Sequence, residues 1–317
     1  MTVAEAIKTG KAMLADGSFL PPSDQLSGIV PSADFVLSPS PALDINCILE
    51  YILQKDRTFL LIHRDLELSK AQQTAFLEAV AKRRTGLPVA YITGHKEFYG
   101  LDFYVTSDVL IPKPDTELLV EHAVDWGKDF LRENPPEISI ADICTGSGCI
   151  IISVLHTLLS SIAGKEKSSI KAYASDISKP ALEIAATNAS RLLPDSKITF
   201  LQGDLFEPFP EDKHFDLILS NPPYIPSAMV SELLKDGRSE PVLALDGDTS
   251  ETSDGLAIIR RLIPQAYGHL NKGGLFLVES GEYNAEATAE LMKKAGFCNV
   301  RIFEDLAGQL RLTQGRK

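Results

Sequence analysis

The chain has 317 residues, 44% of them hydrophobic, too long for one small domain and ample for a sizeable core. Asp and Glu number 43 against 31 Lys and Arg, and the formal charge of −12 argues against an unaided duplex-DNA binder, which must neutralise many phosphates. Cys47, Cys144, Cys149 and Cys298 show no Cys-x-x-Cys spacing and no histidine at metal-ligand spacing, so neither a metal site nor a disulfide is expected.

In chain order, Glu5, Lys8, Lys11 and Asp16 break up the apolar positions of the first twenty residues, which therefore lack the core of a secretory signal. A reduced cytoplasmic setting is the expectation. Residues 3–14, 43–54 and 70–84 carry apolar side chains at helical spacing, the last run preceded by Ser69 as a cap, and predict a small helical domain over 1–88. Residues 17–41, rich in Pro and Ser, read as a loop. The triplet Lys82-Arg83-Arg84 reads as a solvated helical face.

From residue 89 the period changes, and aromatic and β-branched residues broken by Gly100 predict a β-hairpin linker over 89–110, with Phe98, Tyr99 and Phe103 as its core. Over 111–317, strand-like stretches at 138–143, 170–175, 197–201, 215–220 and 274–279 alternate with helical ones, including 179–192 and 256–270. Residues 300–303 and 309–313 would close the sheet as an edge hairpin. Such alternation specifies an α/β fold, a mostly parallel Rossmann-like sheet of seven strands covered on both faces. Residues 143–164 hold no Asp, Glu, Lys or Arg and could nominally span a bilayer, but they open on a glycine-rich turn; a buried strand, a turn and a core-facing helix are predicted instead.

Chemistry concentrates at the strand ends. The turn Cys144-Thr145-Gly146-Ser147-Gly148 follows the first strand of the sheet and opens a helix, the setting of a cofactor-binding glycine loop, though Cys149-Ile150-Ile151 departs from a dinucleotide fingerprint. Asp176 ends the second strand, where a carboxylate can accept from both hydroxyls of a ribose; its competing role is a helix cap, for which Ser178 also stands ready. Asp204 and Leu205 follow the third strand and could face an adenine. Asn221-Pro222-Pro223-Tyr224 ends the apolar strand 215–220, and there the Asn221 side chain and the Pro222 carbonyl can accept from one planar NH2 while Tyr224 stacks on its plane. That suits methylation of an amide or aromatic amine nitrogen. Asp115 and Glu117 read as capping or salt-bridging groups, and His95 and His122 have no evident partner.

With these residues in view, the chain resembles the bacterial peptide chain release factor glutamine N5-methyltransferases, class I enzymes that use S-adenosylmethionine. The resemblance covers most of the chain and rests on Pro88-Val89-Ala90-Tyr91-Ile92-Thr93-Gly94, Glu97-Phe98-Tyr99-Gly100-Leu101, residues 110–117, the loop 144–148, Asp176, Asn221-Pro222-Pro223-Tyr224-Ile225, Glu240-Pro241 and Asp254-Gly255-Leu256. It implies that Cys144, Thr145, Gly146, Ser147, Gly148, Asp176, Asp204, Leu205 and Asn221 hold S-adenosylmethionine, and that Asn221, Pro222, Pro223 and Tyr224 hold the substrate glutamine. Asn221, Pro222 and Tyr224 would carry the catalysis, with no metal. It further implies a cytoplasmic monomer whose helical domain docks a release factor and which binds neither DNA directly nor membrane. A ribosomal-protein glutamine methyltransferase and an adenine N6 DNA methyltransferase are the rival enzymes, and a cofactor-binding module without turnover is the rival of another class. Cys144 stands where that family has glycine and Lys113 where it has arginine, which bears on binding strength. Residues 246–253 read as a surface insertion.

Overall fold

The computed structural model describes residues 1–15, 36–133, 137–162, 169–195, 197–237 and 239–317; most of the loop expected over 17–41 lies outside them. Two compact units result, one of residues 1–94 with 232–239 and one of residues 95–231 with 240–317.

The first unit holds α1 (Val3–Ala15), α2 (Pro41–Leu53), α3 (Arg57–Ile62), α4 (Lys70–Arg84) and α5 (Val89–Thr93). Ser69 caps α4 through a reciprocal box, its Oγ accepting from Gln72 N while Gln72 Oε1 accepts from Ser69 N at 2.9 Å. Val3, Met13 and Leu14 of α1 bury themselves with Ile45, Ile48 and Leu49 of α2 and Phe76 and Val80 of α4. The basic triplet is not a wholly solvated face: Arg83 donates to Asp44 at 2.7 Å and Arg84 is buried. Residues 89–93, counted with the hairpin linker in the sequence, instead form the single turn α5. Pro88 opens that turn and Gly94, at φ 76°, closes it, so that Val89 and Ile92 pack on the helical core.

The hairpin is therefore confined to β1 (His95–Phe98) and β2 (Leu101–Tyr104) in the second unit, turning through Tyr99 and Gly100, both at positive φ. Phe98 and Phe103 are its buried core, edge to face at 6.0 Å. Glu117 accepts from Tyr99 N at 2.9 Å and Asp115 pairs with Arg311 at 3.3 Å, the structural roles expected of both carboxylates. Contrary to expectation both histidines have neighbours: His95 Nδ1 meets Asp102 at 2.8 Å and His122 packs on Phe303.

The rest of this unit runs α6 (Glu117–Glu133), β3 (Glu137–Ile143), α7 (Cys149–Ile162), β4 (Ser169–Asp176), α8 (Lys179–Leu192), β5 (Ile198–Gln202), β6 (Phe215–Ser220), α9 (Ser227–Leu233, ending in the segment grouped with the first unit), α10 (Ala257–His269), β7 (Leu270–Glu279), α11 (Ala285–Lys294), β8 (Cys298–Glu304) and β9 (Leu310–Arg316). The sheet has seven strands in the order β5-β4-β3-β6-β7-β9-β8, parallel through β7, with β9 and β8 as the expected closing hairpin. The uncharged run 143–164 becomes the end of β3, a turn and α7, and among the described residues no helix is long and apolar enough to cross a membrane. Strand order reverses between β3 and β6, and in such sheets the crevice at the carboxyl ends of those strands receives ligands.

Asn188, fully buried on α8, ties the hairpin to that crevice: its side chain accepts from Tyr104 N at 2.8 Å and donates to the carbonyls of Tyr104 at 2.9 Å and Ser147 at 3.0 Å. Asn188→Ala takes a partner from the buried Ser147 carbonyl and from two part-buried backbone groups of Tyr104, so a loss of about 2–3 kcal/mol in unfolding free energy is expected, to be read by urea denaturation.

Candidate active site

A cavity of about 290 Å³ opens at the carboxyl ends of β3, β4 and β6. Cys144, Thr145, Gly146, Ser147, Asp176, Asp204, Leu205, Asn221 and Pro223 line it, so residues expected to hold cofactor and substrate share one space. Register explains the convergence, since Ile143 pairs with Ser175 on one side and with Ser220 on the other, which sends Cys144, Asp176 and Asn221 off adjacent strand ends. Gly148, Pro222 and Tyr224 do not line it. A β-carbon at Gly148 would lie 3.0 Å from Ile152 and 3.2 Å from Ala185, so this glycine serves the packing of α7 on α8.

At Gly146, with φ +54°, a β-carbon would meet nothing within 4 Å, so bare backbone faces open space. Asp176 accepts from Gly146 N and from Ser178 N, each at 2.9 Å, while the Ser178 hydroxyl caps α8 through Ala181 N. The serine thus does the capping, and each Asp176 oxygen keeps a lone pair for a ligand hydroxyl. Burial raises the Asp176 pKa, and backbone hydrogen bonds from Ser178, Gly146 and Ile177 oppose the rise. Asp204 pairs with Arg261, and Leu205, Ile150 and Ile258 supply apolar wall. Open backbone, a carboxylate with free acceptors and an apolar face fit a nucleoside with vicinal hydroxyls and an amino-acid tail.

Cys144 holds a left-handed φ of +62° and packs against the core. Burial, with Asp176 and Asp142 nearby, pushes its thiol far above the usual range, so it stays protonated and unreactive. Beneath the loop Asp142 is wholly buried; desolvation lifts its carboxyl from 3.8 to about 7, against the Thr145 hydroxyl that donates to it at 2.6 Å. A carboxyl whose folded pKa lies above its unfolded one stabilises the fold at low pH, and that stability is lost as pH rises through the folded value. From pH 5 to pH 8 this group alone is expected to remove about 2–3 kcal/mol of unfolding free energy. Denaturation at the two pH values measures the slope, and Asp142→Asn should abolish the contribution.

On the other wall Asn221 donates from Nδ2 to Thr116 Oγ1 at 3.2 Å, and the Tyr224 hydroxyl donates to Glu279 Oε1 at 3.1 Å. Neither Thr116 nor Glu279 was singled out in the sequence. Residues 246–248 belong to this wall and are not a surface insertion: Asp246 bridges Ile225, Asp246 and Asp248 line the cavity, and a β-carbon on Gly247 would lie 2.6 Å from Tyr224 Cα. Composition misled here, because Asp, Gly, Thr and Ser also make exposed turns, and only Thr249, Ser250, Glu251, Ser253 and Asp254 are exposed. Lys113 completes the rim, its Nζ 2.6 Å from the buried Glu240 carboxylate. Among the described residues no His, Cys, Asp and Glu group could hold a metal ion.

Residues 34–94 match the family described as PrmC N-terminal domain, and residues 136–313 match the methyltransferase domain family. A release factor glutamine methyltransferase of Koribacter versatilis is 37% identical over 88% of this chain and 92% of its own. Proteins of the same name from Moorella thermoacetica and Bordetella pertussis are 39% and 37% identical, over 86% and 89% of this chain and 89% and 97% of theirs. Among solved structures, the hMettl16 catalytic domain in complex with an MAT2A 3′UTR hairpin superposes with a TM-score of 0.52 at 15% identity, over 85% of this chain and 91% of that one, a likeness of fold.

Proposed function

The chain belongs to the release factor glutamine methyltransferase family, and from that premise we propose that it methylates the side-chain amide nitrogen, N5, of the glutamine in a release factor's Gly-Gly-Gln loop. The observation that carries this reading is the single cavity shared by Gly146 and Asp176 on one wall and Asn221 on the other. S-adenosylmethionine, when bound, supplies a methyl group on a sulfonium sulfur. Cys144 to Ser147, Asp176, Asp204 and Leu205 are assigned to hold it, with Asp176 on the ribose. The Asn221 side-chain oxygen accepts from the glutamine NH2, restricts its rotation and leaves the nitrogen lone pair aimed along the cavity, while Pro222, which does not line the cavity, stiffens the turn behind it. Tyr224, anchored on Glu279, fixes the turn that carries Asn221. No strong base is required, because the amide gives up its proton after the nitrogen–carbon bond has formed. Residues 1–88 are assigned the docking of the release factor, and the reaction belongs in the cytoplasm, where that partner works.

The test is incubation with methyl-labelled cofactor and, in parallel, purified release factor, ribosomal protein and duplex DNA. Label in the Gly-Gly-Gln peptide, found by mass spectrometry, is the expected result. Label only in ribosomal protein or in DNA replaces the reading, and cofactor binding without any product reduces the chain to a binding module.

A further inference from the structure

Ser220 of β6 pairs with Val278 of β7, so Asn221, the first residue beyond β6, comes beside Glu279, the last residue of β7. Glu279 is 2% exposed, and Thr116, equally buried, stands next to both. Glu279 Oε1 accepts from Tyr224, while Oε2 is buried with no hydrogen-bond partner, and the neighbouring Thr116 hydroxyl helps to hold the carboxyl's pKa down. We infer that Glu279 is a positioning residue for methyl transfer: through Thr116 it sets the direction of the hydrogen-bond chain that turns the oxygen of the Asn221 carboxamide toward the cavity. The inference rests on the function proposed above and adds to it a residue the sequence did not single out.

The logic is one of donors and acceptors. A carboxylate only accepts, and Glu279 Oε2 has no partner, so in this inference the single proton of the neighbouring Thr116 hydroxyl turns toward it. Thr116 Oγ1 then faces Asn221 as an acceptor and takes its NH2, as observed at 3.2 Å. The other end of the amide, its oxygen, is left for an incoming NH2. A protonated Glu279, or a glutamine in its place, can donate to Thr116 instead, which turns the threonine proton toward Asn221 and favours the flipped amide. The cavity would then show an NH2 to an NH2, donor against donor.

The groups facing Glu279 are Tyr224 beyond β6, Thr116 and Asp115 before α6, Arg311 of β9 and Cys149 at the start of α7. Burial lifts the carboxyl to about 6, the hydroxyls and Arg311 pull it down, and Asp115 pushes it up. The chain therefore changes direction within an accessible pH range.

The experiment uses the full chain with purified release factor and labelled cofactor between pH 5 and pH 8. In the wild type, kcat should fall on the acid side with an apparent pKa of about 6. Glu279→Gln should lower kcat by about 30–100-fold and remove that limb, with cofactor Kd and release-factor KM within about threefold. Asp142→Asn should keep the limb. Thr116→Val should cost about as much as Glu279→Gln, and the double variant no more than either, because both break one chain. Independently of turnover, the Asn221 side-chain amide resonance, identified by its loss in Asn221→Ala, should titrate with the same pKa in the wild type and stay flat in Glu279→Gln. Wild-type kcat in Glu279→Gln, or survival of the limb there, overturns the inference. Should that variant not fold, Thr116→Val at wild-type kcat or a flat Asn221 resonance in the wild type overturns it. A wild type that leaves release factor unmodified sinks the proposed function, and the resonance titration still decides this one.

Discussion

Asn221→Ala is expected to lower turnover by about 10²–10³-fold, the size of effect seen when one preorganised polar contact to the reacting group is removed, while cofactor affinity stays within about threefold. The asymmetry follows from position. Asn221 sits on the β6 side of the cavity, its Nδ2 is committed to Thr116, and the groups assigned to the ribose belong to β4 and the loop after β3. Losing its side chain leaves that loop and Asp176 undisturbed but removes the acceptor that holds the glutamine amide. Single-turnover kinetics beside calorimetry with the cofactor separates the two quantities. A kcat that survives, or an affinity that collapses, would move Asn221 out of the substrate's half of the site.

Asp176→Ala is expected to do the reverse, weakening cofactor binding by about 10²-fold, since two hydrogen bonds to a charged acceptor are lost together. The same carboxylate organises the loop as well as the ligand. It accepts from Gly146 N and Ser178 N, so its removal also frees the bare backbone stretch that the cavity needs. Asp176→Asn keeps the shape but can offer an NH2 where Gly146 N requires an acceptor, and a loss between wild type and alanine is expected. Titration calorimetry reads both. At saturating cofactor the turnover of Asp176→Ala should recover to within about tenfold, because the groups around the glutamine are intact.

How much of this was legible beforehand depended on whether the signal was local. The strand 215–220 announced itself as a short apolar run, and what ends it, Asn221-Pro222, cannot continue a ladder, so the turn at the sheet edge could be read from a few residues. The cap of α4 was equally local, a serine three residues ahead of a glutamine. By contrast Thr116 and Glu279 meet Asn221 across 105 and 58 positions of chain, through a strand register that composition does not encode. Residues 89–93 were counted with the hairpin because the change of period was placed at residue 89; a turn between Pro88 and Gly94 that packs on the helical core makes them helical instead. At 246–248 the polar letters were read correctly and their burial was not, because a bridge to Ile225 and the close approach of Gly247 to Tyr224 are tertiary facts.

The turn after Asp248 has a practical use. Its base is stapled where the Asp248 carboxylate accepts from Gly255 N at 2.7 Å, while Ser250 projects into solvent only a few residues from the cavity wall. A fluorophore attached through a cysteine introduced at Ser250 would report occupancy of the cleft in real time. The part-buried thiols at 144 and 149, their pKa values raised by desolvation, would react slowly with the labelling reagent, and the exposed Cys298 is the first to remove, with Cys47 next.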